Sequence, residues 1–346
     1  MADPVLELVD LAFPWQGLDP FLFTVHHVDH YPAGNLDQGP DTSLEGRRIG
    51  ADFSYLDGWS MYHGRRVPGF PKHPHRGFET VTVVRRGYVD HSDSIGATAR
   101  YGEGDTQWLT TGAGIQHAEM FPLTDSAGSN ELELFQIWLN LPPVSKMVPP
   151  YFRMLWSEQI PTVVAEGGLV SIDVIAGSFD GHVAPAPPPD SWGSQAGSEL
   201  AIWLIRVAPE ATWTLPPAPG DINRMLYMFM GSEVEIGKTR VERGVGVRIA
   251  GGTDSPILNR GQAAEFLLLQ GRPIGAPVFQ MGPFVMNTAE EITQAIHDYQ
   301  TTEFGGWPWA SIEPVHDRSL GRFALHADGQ VEHRDRTDQP VGDLTD

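Results

Sequence analysis

Two residue pairs in this chain have the types and the spacing to hold a metal ion. They are His73-Pro74-His75 and His117-Ala118-Glu119. In an extended strand alternate side chains point to one face, so each pair can converge on a single point. Three imidazoles and one carboxylate make a borderline-to-hard ligand set, suited to divalent iron, nickel, copper, manganese or zinc. There is no cysteine, so a metal site here must rest on nitrogen and oxygen ligands. Four protein ligands leave coordination positions for water or substrate, which points to a catalytic rather than a structural site.

The stretch between the pairs must bring them together. It reads as short strands, ETVTVV, YVDHS, TQWLTT and IQHAEMF, separated by glycine turns at Gly87, Gly96, Gly104 and Gly112. Pro68, Gly69, Pro71 and Pro74 force an extended approach to His73 and His75. The alternation in ELELFQIWLN adds a further strand. Short, evenly spaced strands of this kind predict an all-β jelly roll or small barrel.

Other residues near the motif invite weaker readings. Arg76 is expected as a rim arginine paired to a surface acid, and His91 as a hydrogen-bonded structural histidine. Gln107 and Trp108 are equally well read as support for the ligands or as barrel packing. His26, His27, His30 and His63 precede the motif with no carboxylate pair bracketing them at strand spacing, so they are not assigned as ligands.

Beyond the first barrel, prolines at 142, 143, 149 and 150 and a Pro/Gly/Ser-rich segment, HVAPAPPPDSWGSQAGS, suggest a boundary and an exposed linker or loop. The predicted division is 1–141 for a metal-binding barrel, 142–310 for a second barrel with a C-terminal helix, and 311–346 for an extension or tail. The second half supplies the strands ELAIWLIRV, ATWTL, RMLYMFM, EVEI, GVGVRI and AEFLLLQ. Aligning Gly231 with Gly87 places Pro217 and Pro219 where the first repeat has His73 and His75. No histidine lies between His182 and His297, so the second repeat cannot build an imidazole site. Thr288 to Glu291 fits a capping box ahead of Ile292, Ala295, Ile296 and Tyr299 at helical spacing. His326 and His333 are expected to be solvated on the tail.

With 346 residues the chain is long enough for two domains, each with its own core. It carries 23 Lys and Arg against 44 Asp and Glu, a net charge of −21, which disfavours nucleic acid and anionic membranes as partners. There is no long apolar run and no signal-peptide order at the N-terminus, so a soluble, cytoplasmic protein is expected.

Three stretches carry a specific resemblance: HPHRGFETVTVV, GDTQWLTTGAGIQHAEM and GPFVMNTAEEITQAIHDYQ. On these the chain resembles the pirin family of the cupin superfamily, from about Pro20 to Trp309. The resemblance implies a bicupin of two stacked β-barrels with a short C-terminal helix, only the first barrel binding metal. It places the family's four ligands on His73, His75, His117 and Glu119. It further implies an oxidoreductase of the quercetin 2,3-dioxygenase type, taking a flavonol and dioxygen, with iron(II) first among the metals and Glu119 as the catalytic base. The alternative it implies is a non-enzymatic, metal-dependent redox sensor that regulates a protein partner. The sequence departs from the family in the longer segment between His30 and Gly69, in its Pro-rich segment and in its tail, and the first of these is placed to shape the pocket mouth.

Overall fold

Strand-forming sequence dominates the computed structural model, which describes residues 3–335. The chain divides into two units that are discontinuous in sequence. One comprises residues 1–25, 137–142 and 155–276, the other residues 26–136, 143–154 and 277–346.

The first unit is built on a seven-stranded antiparallel sheet in the order Val5–Asp10, Val245–Ile249, Asn223–Met230, Ala264–Gly271, Ala201–Val207, Val170–Ala176, Thr162–Ala165. A four-stranded sheet of Thr212–Leu215, Ser255–Leu258, Glu233–Ile236 and Thr239–Glu242 accompanies it. Period-two alternation sends Trp203, Leu226, Leu268, Val234 and Ile257 into one apolar core. All six strands expected in the second half are present. The Pro-rich segment is not a linker between units but lies within this one, where Ser191 is buried and the Trp192 indole N–H donates to the Arg272 carbonyl.

The second unit holds the histidine pairs. One six-stranded sheet runs Val331–His333, Phe323–Leu325, Thr98–Gly102, Tyr88–Asp93, Ile115–Met120, Gly69–His75. In a second sheet Tyr151–Leu155, Thr106–Thr110, Phe78–Arg86 and Asn130–Asn140 are neighbours in that order. Gly69–His75 is an edge strand, and that position tolerates Pro71 and Pro74 with no N–H to offer a neighbour.

Three features of this unit correct the sequential division. The strand Val5–Asp10 belongs to the other unit, where it pairs with Val245–Ile249. The helix Ala289–Thr302 belongs to the histidine-bearing unit rather than to the second barrel. It begins with the expected capping box, in which the Glu291 N–H donates to Thr288 Oγ1 and the Glu291 carboxylate accepts from the Thr288 N–H. Ile292 and Ala295 pack with Phe284 and Met286. Arg76 fixes the helix by donating to Asp298 at 2.8 Å while its guanidinium lies over the Phe304 ring.

The expected tail is the third correction. Phe323–Leu325 pairs with Thr98–Gly102, extending the sheet, and Val331–His333 pairs with it in turn. The cause is Arg100, buried beside Asp90, whose remaining N–H groups donate to the carbonyls of His316, Asp317 and Leu320. That dense set of buried donors gives the extension a fixed path. His326 is half-buried, bonded to Glu332 and in ring contact with Phe152, whereas His333 is exposed. The tail reading for 336–346 lies outside the described residues. Among the described residues no helix is long and apolar enough to cross a membrane.

Candidate metal centre

His73 and His117 are directly opposed across the antiparallel pair Gly69–His75 and Ile115–Met120. Their side chains therefore leave the sheet on the same face. The register slips by one residue between Phe70 and His73, a bulge that contains Pro71. Such a bulge re-aims the side chain after it. His73 Nδ1 donates to the Pro71 carbonyl at 2.8 Å, which leaves Nε2 with its lone pair facing the interior. Gly69 starts the bulge at φ 129°, and a Cβ there would stand 2.4 Å from the Glu119 carbonyl oxygen. Only glycine lets the two ligand strands approach this closely.

Three imidazoles meet at this point. The ligand atoms of His73, His75 and His117 lie within 4.8 Å of one another, and the Nε2 atoms of His73 and His117 are 2.9 Å apart. His75 and His117 are buried; His73 is half-buried, on the open side. Burial pulls the His73 pKa down to about 4, and burial followed by the neighbouring rings pulls His75 and His117 well below the ordinary imidazole value. The rings are neutral and present lone pairs rather than charge. At metal–nitrogen distances of about 2.1 Å, adjacent ligands lie about 3 Å apart, so the His73 and His117 spacing already suits a shared ion. The donor set fits a divalent transition metal.

Glu119 stands beside this group, its Oε2 3.9 Å from His117 Nε2. Gln136 Nε2 donates to Oε2 at 2.7 Å, and Thr82 Oγ1 is 3.1 Å from Oε1. Thr82 is also hydrogen-bonded to Gln136 Oε1. A hydroxyl has one proton for two acceptors, so this trio suits Glu119 in either protonation state. Burial raises the Glu119 pKa against the opposing effects of His91, Gln136 and Thr82. The result is a carboxylate more basic than usual.

Behind the ligands, His91 is opposed to Glu119 in the sheet. It is fully buried, with Nε2 3.0 Å from Asp93 and Nδ1 3.2 Å from the Gln107 amide. His91 is structural, and Gln107 orients it; Trp108 is buried core. Arg76 reaches the acid on the helix, not the ligand group. The earlier histidines go elsewhere: His26 to Glu133, His27 to Tyr62, His30 to Glu131, His63 to the Gly50 carbonyl. Thr82 and Gln136 were not singled out from sequence. The available signal was the phase of ELELFQIW, where Gln136 takes a position that Leu132 and Leu134 fill with hydrocarbon.

On the open side an aromatic group adjoins His73. Phe70 lies 6.3 Å from it between ring centroids, and Tyr62, His63 and Phe121 pack on Phe70, with Phe53 against His63. Phe53, Tyr62 and His63 come from the segment between His30 and Gly69.

The family model for pirin matches residues 37–139, and that for the pirin C-terminal cupin domain matches residues 202–305. Human pirin is 35% identical over 250 residues, covering 70% of this chain and 80% of human pirin. The chain belongs to the pirin family. The first match falls almost wholly in the histidine-bearing unit; the second covers residues 202–276 of the other unit and continues through the helix Ala289–Thr302. A pirin-like protein of Caulobacter vibrioides is 37% identical over 237 residues, 68% of this chain and 80% of that protein. A Pseudomonas aeruginosa protein with a provisional quercetin 2,3-dioxygenase name is 34% identical over 237 residues, 68% of this chain and 79% of that protein. Among solved structures, a quercetin 2,3-dioxygenase from Acinetobacter baumannii superposes with a TM-score of 0.66 at 27% identity, covering 83% of this chain and 86% of that one.

Proposed function

We propose that this pirin-family chain is a metal-dependent dioxygenase that opens a flavonol, and that His73, His75, His117 and Glu119 hold its metal. The observation that carries this reading is the pairing of three converging neutral imidazoles with a buried, basic carboxylate. The names of the Pseudomonas and Acinetobacter relatives support the choice of substrate class. A divalent metal, iron(II) first among the candidates, supplies Lewis acidity toward the substrate hydroxyl and the redox capacity that dioxygen chemistry needs.

The chain's own residues do the rest. Phe70 and the exposed Phe53, packed around the buried Tyr62, offer a planar substrate aromatic surface beside His73. Glu119 accepts the proton of the flavonol hydroxyl at Oε1 or Oε2, a buried carboxylate oxygen standing beside the three imidazoles. Gln136 and Thr82 hold the carboxyl in place before and after it takes the proton. An acidic, cysteine-free chain of this kind fits a cytoplasmic enzyme without a nucleic-acid partner.

The test is turnover. Protein loaded in turn with iron, nickel, copper and manganese is incubated with quercetin with and without oxygen, following flavonol absorbance and carbon monoxide release. Oxygen-dependent loss of absorbance with matching carbon monoxide is expected with at least one metal. No turnover with any of the four would reject quercetin as the substrate and leave the regulatory reading or another substrate.

A further inference from the structure

The unit that lacks the two histidine pairs contains a buried arginine with no partner among the described residues. Arg224 is 1% exposed, and its Nε and Nη1 have no hydrogen-bond partner among the described residues. Burial lowers its pKa to about 10, which still leaves it charged at neutral pH. A buried, unpaired guanidinium is a costly feature, normally offset by an anion. Here the group borders a cleft of about 450 Å³ that is also lined by Phe179, Trp203, Thr214, Pro217, Pro219 and Gln270.

Strand register explains the grouping. Gln270 is opposed to Arg224 on one side and to Ala201 on the other, and Trp203 follows Ala201 by two residues. All three side chains therefore leave the sheet on one face, toward the barrel interior. Two of them repeat the anomaly of Arg224. The Trp203 indole N–H and the Gln270 Oε1 are buried and also lack partners. Pro217 and Pro219 occupy the positions that align with His73 and His75 of the first repeat. Where the first barrel gathers lone pairs for a cation, the second has a fixed cation of its own.

The unpartnered groups define a ligand. Arg224 calls for an oxyanion, and a planar carboxylate matches its fork of donors. Phe179, Trp203 and the two prolines give apolar walls for a ring; the Phe179 and Trp203 rings meet edge-on at 5.1 Å. The Trp203 N–H and Gln270 Oε1 offer one donor and one acceptor to a ring hydroxyl. Asp180 and Glu199, exposed on the lining, disfavour a multiply charged anion such as phosphate. We propose that this cleft of the second barrel binds a small aromatic monocarboxylate bearing a hydroxyl, with Arg224 as its anchor.

Calorimetric titration of the full chain with 4-hydroxybenzoate tests the assignment. Expected is binding at a single site, weakened roughly thirtyfold or more by Arg224→Met. Trp203→Phe keeps the ring packing, removes the N–H, and is expected to weaken binding several-fold, so the proposal stays testable if Arg224→Met fails to fold. His117→Ala is expected to leave this binding unchanged, separating the cleft from the metal centre. The proposal is overturned by no binding at millimolar ligand, by unchanged binding in folded Arg224→Met, by loss of binding in His117→Ala, or by inorganic phosphate binding as tightly as the carboxylate.

Discussion

The Nε2 atoms of His73 and His117 face each other at 2.9 Å from directly opposed positions on two antiparallel strands. Because His73 Nδ1 is engaged by the Pro71 carbonyl, the contact brings together two atoms that are both suited to one metal ion. Removing either ring deletes a ligand without disturbing the sheet hydrogen bonds. His117→Ala is therefore expected to lose both metal and activity, with metal content by elemental analysis falling to a small fraction of one equivalent. Retention of a full equivalent would remove His117 from the ligand set.

Glu119 is predicted to matter more for turnover than for metal retention. Glu119→Gln keeps the shape and the three imidazoles but cannot accept a proton, so activity is expected to fall by about 100-fold or more, with most of the metal retained. Thr82→Val and Gln136→Leu leave the carboxylate in place and remove its supports; each is expected to lower activity by about tenfold to 100-fold. Equal losses of metal and activity in Glu119→Gln would undo its role as base.

A buried chain of hydrogen bonds makes an opposing pair of pH effects separable. His27 Nδ1–H donates to Tyr62 Oη, and Tyr62 O–H donates to Asp29. Burial, then His26, lowers the His27 pKa to about 3, so the folded state resists a proton that the unfolded chain takes near 6.5. Stability from neutral His27 is full above pH 6.5 and is lost as pH falls toward 3. Burial raises the Asp29 pKa to about 6 against an unfolded value near 3.8. Its sign is opposite: stability is gained on acidification through that window. Relative to the parent protein, His27→Gln should thus become more stable by about 1.4 kcal/mol for each pH unit between 6 and 4, and Asp29→Asn less stable by a similar slope. Urea unfolding of the metal-free proteins at pH 6, 5 and 4 measures both. Parallel curves for parent and His27→Gln would show that His27 does not resist protonation in the fold.

The cluster of His73, His75 and His117 was legible because strand spacing is local: His73 and His75, like His117 and Glu119, announce their shared face within three residues. The capping box at Thr288 was legible for the same reason. What sequence did not reveal depends on distant partners. The pairing of Phe323–Leu325 with Thr98–Gly102 is set by Arg100 reaching carbonyls more than two hundred residues away, and no local pattern encodes it. Similarly, the helix was assigned to the barrel next to it in sequence, although its anchor is Arg76. Arg224 looked like an ordinary strand residue, since its missing partners become apparent only when the whole lining of the cleft is known.

That helix also connects stability to the metal site. Gln116, adjacent to His117 and fully buried, donates through Nε2 to the carbonyls of Glu303 and Gly306, while its Oε1 accepts from the Tyr299 hydroxyl at 3.3 Å. The end of the helix is thereby latched to the ligand strand. Two substitutions distinguish the latch from the helix itself. Thr288→Ala removes the N-cap at the far end and is expected to cost about 1 kcal/mol of stability with metal affinity unchanged. Gln116→Leu keeps the volume but removes both hydrogen bonds donated to the Glu303 and Gly306 carbonyls, at a cost of roughly 0.5–1.5 kcal/mol each, and frees the backbone next to His117. It is expected to lower stability and metal affinity together, read by urea unfolding and by competition with a chelator. If Gln116→Leu lowers stability while its metal affinity matches that of Thr288→Ala, the latch serves the fold alone and does not position His117.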